Sequence, residues 1–236
     1  EPLVQCAGGM RMYHPVYLSL LREACDRHGV HLIADEIAVG FGRTGMMFAC
    51  EWAAISPDFM CLSKGLTGGT LPLACVLTRD GIYQAFYAEY RAGKAFLHSH
   101  SYTGNPLACR AALATLDVFA EQDWIARTRL LGQFLWSSTA PLRSHRYVVD
   151  VRQQGLILAI ELAQSTRNRQ PFPASERRGL RAYRHALKSH KDFGVLLRPL
   201  GDVIYFMPPY VIEPREVEAM AKIAIEAIDA ATNPEK

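Results

Sequence analysis

Several things are missing from this 236-residue sequence, and each absence removes a class of protein. No apolar run reaches the length of a membrane span, and no signal peptide is visible, so a cytoplasmic protein without a membrane partner is expected. None of the six cysteines forms a C-x-x-C pair, and several lie in apolar stretches, which fits buried thiols in a reducing compartment better than a disulfide scaffold. His98 and His100 make an H-x-H, but no cysteine or acid stands beside them at a zinc-like spacing, so no metal site is expected. There is neither a P-loop nor a G-x-G-x-x-G fingerprint. The net charge of +3 is too near balance to argue for nucleic acid. Arg177, Arg178, Arg181 and Arg184 cluster, and on a helix they read as part of a solvated face.

What is present is an alternation of helix and short strand. Pro15 and Gly29 bracket an apolar stripe of Val16, Leu20, Leu21, Ala24 and Cys25, which predicts a helix. Val30-His31-Leu32-Ile33-Ala34 then reads as a buried strand ending in Asp35-Glu36, the pattern of a βαβ unit in a parallel sheet. Phe59-Met60-Cys61-Leu62 leads in the same way into Ser63-Lys64-Gly65, and residues 73–78 make a third strand after a Gly-rich turn. Helices are expected over residues 106–119 and 123–135. Beyond Pro141 the character changes to a hairpin (147–151 and 156–162), a helix over 175–190, a strand pair (195–198 and 203–207) and a last helix opened by Pro214, with Val217, Met220, Ala221, Ala224 and Ile228 on one face. The fold class is therefore α/β followed by α+β, divided near residue 140. The chain opens at Glu1 without a methionine and runs at once into Pro-Leu-Val-Gln, which reads as the middle of a longer polypeptide.

In open parallel sheets ligands sit beyond the carboxyl ends of the strands, where Asp35 and Lys64 both fall. A lysine and an aspartate at one rim suit pyridoxal phosphate, the amine as Schiff-base partner and the carboxylate on the pyridinium nitrogen. On spacing alone, a strand-end lysine and an unrelated capping aspartate are the better reading.

The surrounding residues go further. Leu32-Ile33-Ala34-Asp35-Glu36-Ile37-Ala38-Val39-Gly40-Phe41-Gly42-Arg43-Thr44-Gly45, with Pro57-Asp58 and Leu62-Ser63-Lys64-Gly65-Leu66-Thr67-Gly68-Gly69, resembles the class III aminotransferases of the fold-type I pyridoxal-phosphate group. Gly8-Gly9-Met10-Arg11, Gly104-Asn105-Pro106 and Arg198-Pro199-Leu200-Gly201 carry the likeness through the chain, which corresponds to the second half or so of such an enzyme.

The resemblance implies a partial large domain with a mainly parallel sheet (residues 1–140) and a small C-terminal domain (141–236). It implies pyridoxal 5'-phosphate as cofactor, a homodimer, and small-molecule partners: a keto-amino acid acceptor and an amino donor, S-adenosylmethionine or lysine. Lys64 is then the cofactor lysine and proton shuttle, and Asp35 the pyridinium partner. Ser101 stands where relatives often place a threonine that binds the phosphate across the subunit interface; a turn serine bonded to its own backbone is the alternative. Arg198 matches the arginine that grips a substrate carboxylate, against a surface ion pair. Tyr205 could line the same pocket or simply pack in the core. Arg43 lies in a loop near the family's active site, and a structural salt bridge fits it equally well.

Overall fold

The computed structural model describes residues 1–99, 101–189 and 193–233. In chain order its elements are β1 (Val4–Gln5), β2 (Arg11–Met12), α1 (Val16–His28), β3 (Ile33–Asp35), β4 (Phe59–Leu62), β5 (Cys75–Thr78), α2 (Asp80–Gln84), α3 (Pro106–Glu121), α4 (Trp124–Ser138), β6 (Val148–Gln154), β7 (Ile157–Leu162), α5 (Arg178–Lys188), β8 (Arg198–Leu200), β9 (Val203–Phe206) and α6 (Pro214–Thr232). They form two compact units. The first comprises Glu1–Leu3, His14–Phe41 and Met46–Asp123, and the second comprises Val4–Tyr13, Gly42–Gly45 and the chain from Trp124 onward.

In the first unit, α1 forms as its brackets predict. Pro15 already has helical dihedrals, and Gly29 turns left-handed at φ 62°, donating its N–H to the Asp26 carbonyl. β3 and β4 run parallel, with Asp35 opposite Cys61. The expected parallel arrangement stops there: β5 runs antiparallel to β4, with Leu62 opposite Cys75. A parallel return needs a crossover, usually a helix, and residues 63–74 hold only a 3₁₀ turn over Lys64–Thr67. One face of this sheet packs on Phe41, Leu66, Ala112 and Phe119 through Met60, Leu62 and Cys75. The other face is bare, with Ile33 63% and Val76 58% exposed.

The second unit is an antiparallel sheet in the order β6-β7-β9-β8, covered by α4, α5 and α6. The predicted hairpin is present, turned by Gly155 at φ 57°. The Gly42–Gly45 segment runs so close that a Cβ on Gly155 would come within 2.6 Å of the Arg43 carbonyl oxygen, and the Leu156 N–H donates to that same oxygen. β7 supplies Ile157, Leu158, Ala159, Ile160 and Leu162 to the interior. α6 starts at Pro214 behind a Glu213–Glu216 capping box and buries Val217, Ala221, Ala224 and Ile228, as its periodicity predicts. α4 packs on α6 and β7, so this unit begins at Trp124, whereas the sequence changes character only near residue 140. α5 is preceded by a separate 3₁₀ turn at Ala174–Glu176, and its expected end at His190 lies outside the described residues.

Candidate active site

Lys64 enters the chain one residue after β4, at that strand's carboxyl end. Its φ is 42°, in the left-handed region that side-chain-bearing residues rarely occupy, and it opens the 3₁₀ turn that Gly68 closes at φ 60°. The turn is tied down on all sides. The Leu66 N–H donates to the Ser63 carbonyl, the Ser63 hydroxyl to the Leu73 carbonyl at 2.6 Å, and the Thr67 hydroxyl to the Leu71 carbonyl at 2.6 Å. Gly65 lets Phe41 lie against the turn, since a Cβ there would stand 3.0 Å from the Phe41 side chain. The Lys64 amine itself is exposed and meets no partner among the described residues. Non-glycine residues held in left-handed geometry cluster at functional sites.

Asp35 ends β3 at the same rim, the two strands being adjacent and parallel. One carboxylate oxygen accepts the Ile37 N–H at 3.0 Å. Cys61, its register partner, has a thiol pushed above the ordinary range, first by burial and then by the Asp35 charge. The next residue, Glu36, is fully buried. Its two oxygens accept the backbone N–H groups of Ala49 (2.9 Å) and Cys50 (2.8 Å), while its own N–H donates to the Cys61 carbonyl. Burial pushes the Glu36 carboxyl up, and those two N–H donors pull it back. Glu36 thus pins the strand end that carries Asp35. The sequence shows Glu36 only as part of a motif, because its partners open a short 3₁₀ helix (Ala49–Ala53) that the sequence pattern does not announce.

Ser101 lies in the exposed turn before α3, and its hydroxyl meets no partner among the described residues; the alternative, a turn serine bonded to its own backbone, is not seen. His100, the second histidine of the H-x-H, lies outside the described residues. A cleft of about 650 Å³ lies beside this turn, lined by Ser63, Leu73, Tyr102, Asn105 and Ala108 among others. Asn105 caps α3 by accepting the N–H groups of Leu107 and Ala108.

In the second unit, Arg198 begins β8 and stands directly across from Tyr205 on β9, so the two side chains share a face. The strand starts at Arg198 and not at Val195, because the Val195 N–H is drawn off to the Ala186 carbonyl. Arg198 is exposed and makes no ion pair among the described residues, so the surface-ion-pair alternative is not seen either. Tyr205 is half-buried and lines an apolar cleft of about 940 Å³ with Phe193, Leu196, Phe206, Val211 and Met220.

Arg43 is held without an acid among the described residues. Its Nη1 donates to the Pro208 carbonyl at 2.6 Å, and its guanidinium lies 4.5 Å from the centre of the Tyr210 ring. Burial lowers its proton affinity, and the same burial raises that of the Tyr210 hydroxyl. The salt-bridge alternative for Arg43 is replaced by a carbonyl and an aromatic face. Tyr210 is the second residue whose role the sequence did not reveal.

The family model described as Aminotransferase class-III matches residues 1–228. The adenosylmethionine-8-amino-7-oxononanoate aminotransferase of Helicobacter pylori is 45% identical over 97% of this chain and 51% of its own length. The protein of the same name in Geobacter sulfurreducens is 46% identical over 92% of this chain and 47% of its own. The crystal structure of the Methanocaldococcus jannaschii protein of that name superposes with a TM-score of 0.92 at 36% identity, covering 98% of this chain and 53% of that one. An omega transaminase from Pseudomonas jessenii, solved in complex with PMP, gives 0.91 at 29% identity, covering 98% and 50%. The chain spans about half the length of the curated relatives it matches.

Proposed function

Because the chain belongs to the class-III aminotransferases, we propose that it carries the cofactor lysine, Lys64, of an enzyme transaminating 7-keto-8-aminopelargonate to 7,8-diaminopelargonate in biotin biosynthesis. S-adenosylmethionine is the proposed amino donor, and the setting is a cytoplasmic homodimer. The observation that carries this reading is the placement of an unpartnered lysine amine and an aspartate at the carboxyl rim of adjacent parallel strands. These residues fit pyridoxal 5'-phosphate: Lys64 offers an accessible amine, and Asp35 keeps one carboxylate oxygen beyond the one that accepts Ile37 N–H.

When bound, the cofactor supplies an electron sink for a substrate carbanion. Lys64 Nζ would hold the cofactor and, when released, its amine would take up and return a proton. Asp35 would pair with the pyridine nitrogen, and Glu36 fixes the backbone that aims it. Ser101 would offer its hydroxyl to a cofactor phosphate across a subunit interface. Arg198 grips the substrate carboxylate in a bidentate pair, with Tyr205 beside it on the same strand face; Arg43 supports the substrate side from its seat on Tyr210. In family terms residues 1–140 belong to the cofactor-binding domain and 141–236 to the small one.

Amino transfer from S-adenosylmethionine and from lysine to the keto-amino acid, measured with the protein in its full expressed length, tests the reading. Activity abolished by Lys64→Ala is expected. Robust transamination of β-alanine or ornithine with none on the keto-amino acid would replace it with the second reading, an ω-amino acid aminotransferase, which the superposition on the omega transaminase favours. The 236 residues alone are expected to bind the cofactor poorly, since half the length of the relatives lies outside them. A stable absorbance band on mixing the chain with pyridoxal phosphate, lost in Lys64→Ala and accompanied by turnover, would refute that expectation.

A further inference from the structure

Charge in this chain is concentrated in one stretch. Between residues 165 and 200 stand nine arginines and lysines and two acids, a net of +7 within a chain of +3, so the remaining residues sum to −4. The helix at its centre, α5, sorts those charges by face. Gly179, Ala182 and Ala186 are buried on one side. Arg181, Arg184 and Lys188 run along the opposite side, headed by Arg177, and all four are exposed. Steps of four, three and four residues keep them within a sector of about 60° and spread them over about 16 Å of helix. Arg178 points elsewhere. It is bonded to the Ala231 carbonyl and to Glu176 and stacks on Phe172, while the other acid near the start of the helix, Asp202, is engaged by the backbone N–H groups of Gly179 and Phe172.

No acid stands on α5 itself, and the four stripe residues make no ion pair among the described residues. Four like charges in line repel one another, and such a row is relieved by an opposite row. We propose that the exposed face of α5 is a docking surface for an acidic helical segment of another protein, with carboxylates at matching three- and four-residue spacing. The patch is one helix wide and straight, which suits a helix lying alongside. Nucleic acid suits it less. Its phosphates would continue past the patch onto a chain that is elsewhere net negative, and beside the exposed line of α5 the His185 imidazole is the one exposed ring, too small a platform for successive bases to stack.

Fluorescence anisotropy tests this with a labelled alanine–glutamate peptide of about fourteen residues, its glutamates spaced to fall on one helical face. A scrambled peptide of the same composition and a single-stranded oligonucleotide of equal charge serve as comparators, at about 50 mM salt. The periodic peptide is expected to bind most tightly. Arg181→Glu combined with Arg184→Glu should weaken it about tenfold or more, with circular dichroism confirming the fold. Lys222→Glu combined with Arg215→Glu makes the same change in net charge on α6 and should weaken it by less than about threefold. Absence of peptide binding, equal binding of the scrambled peptide, tighter binding of the oligonucleotide, or equal losses in the two double variants each overturns the proposal.

Discussion

Replacing Asp58 with asparagine removes one charge from a buried junction in the first unit. The Asp58 side chain is 6% exposed and accepts Arg22 Nη1 at 2.7 Å and the Leu32 N–H at 2.7 Å; Arg79 lies at 3.1 Å and His31 at 3.7 Å. It thereby joins α1, the chain entering β3, and the ends of β4 and β5. The Leu32 N–H and the Arg22 guanidinium hold its carboxyl at about 2, against an ordinary 3.8. That gap corresponds to about 2 kcal/mol of folding free energy at neutral pH. Arg79, half exposed and screened by salt, adds little of it; Arg22, 12% exposed, and the backbone N–H supply most. Because the folded value is depressed, the contribution is complete above the unfolded value of 3.8 and is lost as pH falls toward 2. Urea unfolding followed by circular dichroism should show Asp58→Asn less stable by about 2 kcal/mol at pH 7, with the deficit falling to about half near pH 3. A deficit unchanged between those two conditions would show that the shape of the carboxyl group, and not its charge, holds the junction, and would refute the reasoning.

Glu36→Gln turns an amide N–H₂ toward a backbone donor and should cost about 1–3 kcal/mol in the same unfolding assay, while Glu36→Asp, too short to reach both N–H groups, should cost a similar amount. Gly155→Ala places a Cβ against the Arg43 carbonyl at a residue with φ 57°, and should lower stability by more than about 1 kcal/mol, read as a fall in thermal midpoint. The bare sheet face bearing Ile33 and Val76 should make the 236-residue chain self-associate in light scattering; Ile33→Lys with Val76→Lys should reduce this, and a well-behaved monomer without those changes would count against the expectation.

The legible parts of the fold were those written in punctuation and period. Pro15 and Gly29 marked α1, the apolar repeat from Val217 to Ile228 marked the buried side of α6, and alternation around Gly155 marked the hairpin. Strand direction was not legible from β5 itself, since Cys75-Val76-Leu77-Thr78 reads the same either way; the clue was the lack of a helix between β4 and β5. Lys64 and Asp35 stood out because a strand end fixes where a side chain emerges. Glu36 and Tyr210 did not, because their roles depend on the N–H groups at the start of a short 3₁₀ helix and on a guanidinium contributed by a distant segment. For Arg43 the sequence supplied the charge and left its partner open, and only packing selects a carbonyl and a ring over a carboxylate.

The left-handed backbone at Lys64 sets the fold and the proposed chemistry against each other at a single residue. A side chain there costs about 1–2 kcal/mol that glycine would not. A laboratory search for sturdier variants, scored only on survival of heat, would reach this position early and return glycine. The resulting protein would be easier to build and would have lost the amine, so thermal robustness is a misleading guide to improvement at this end of β4.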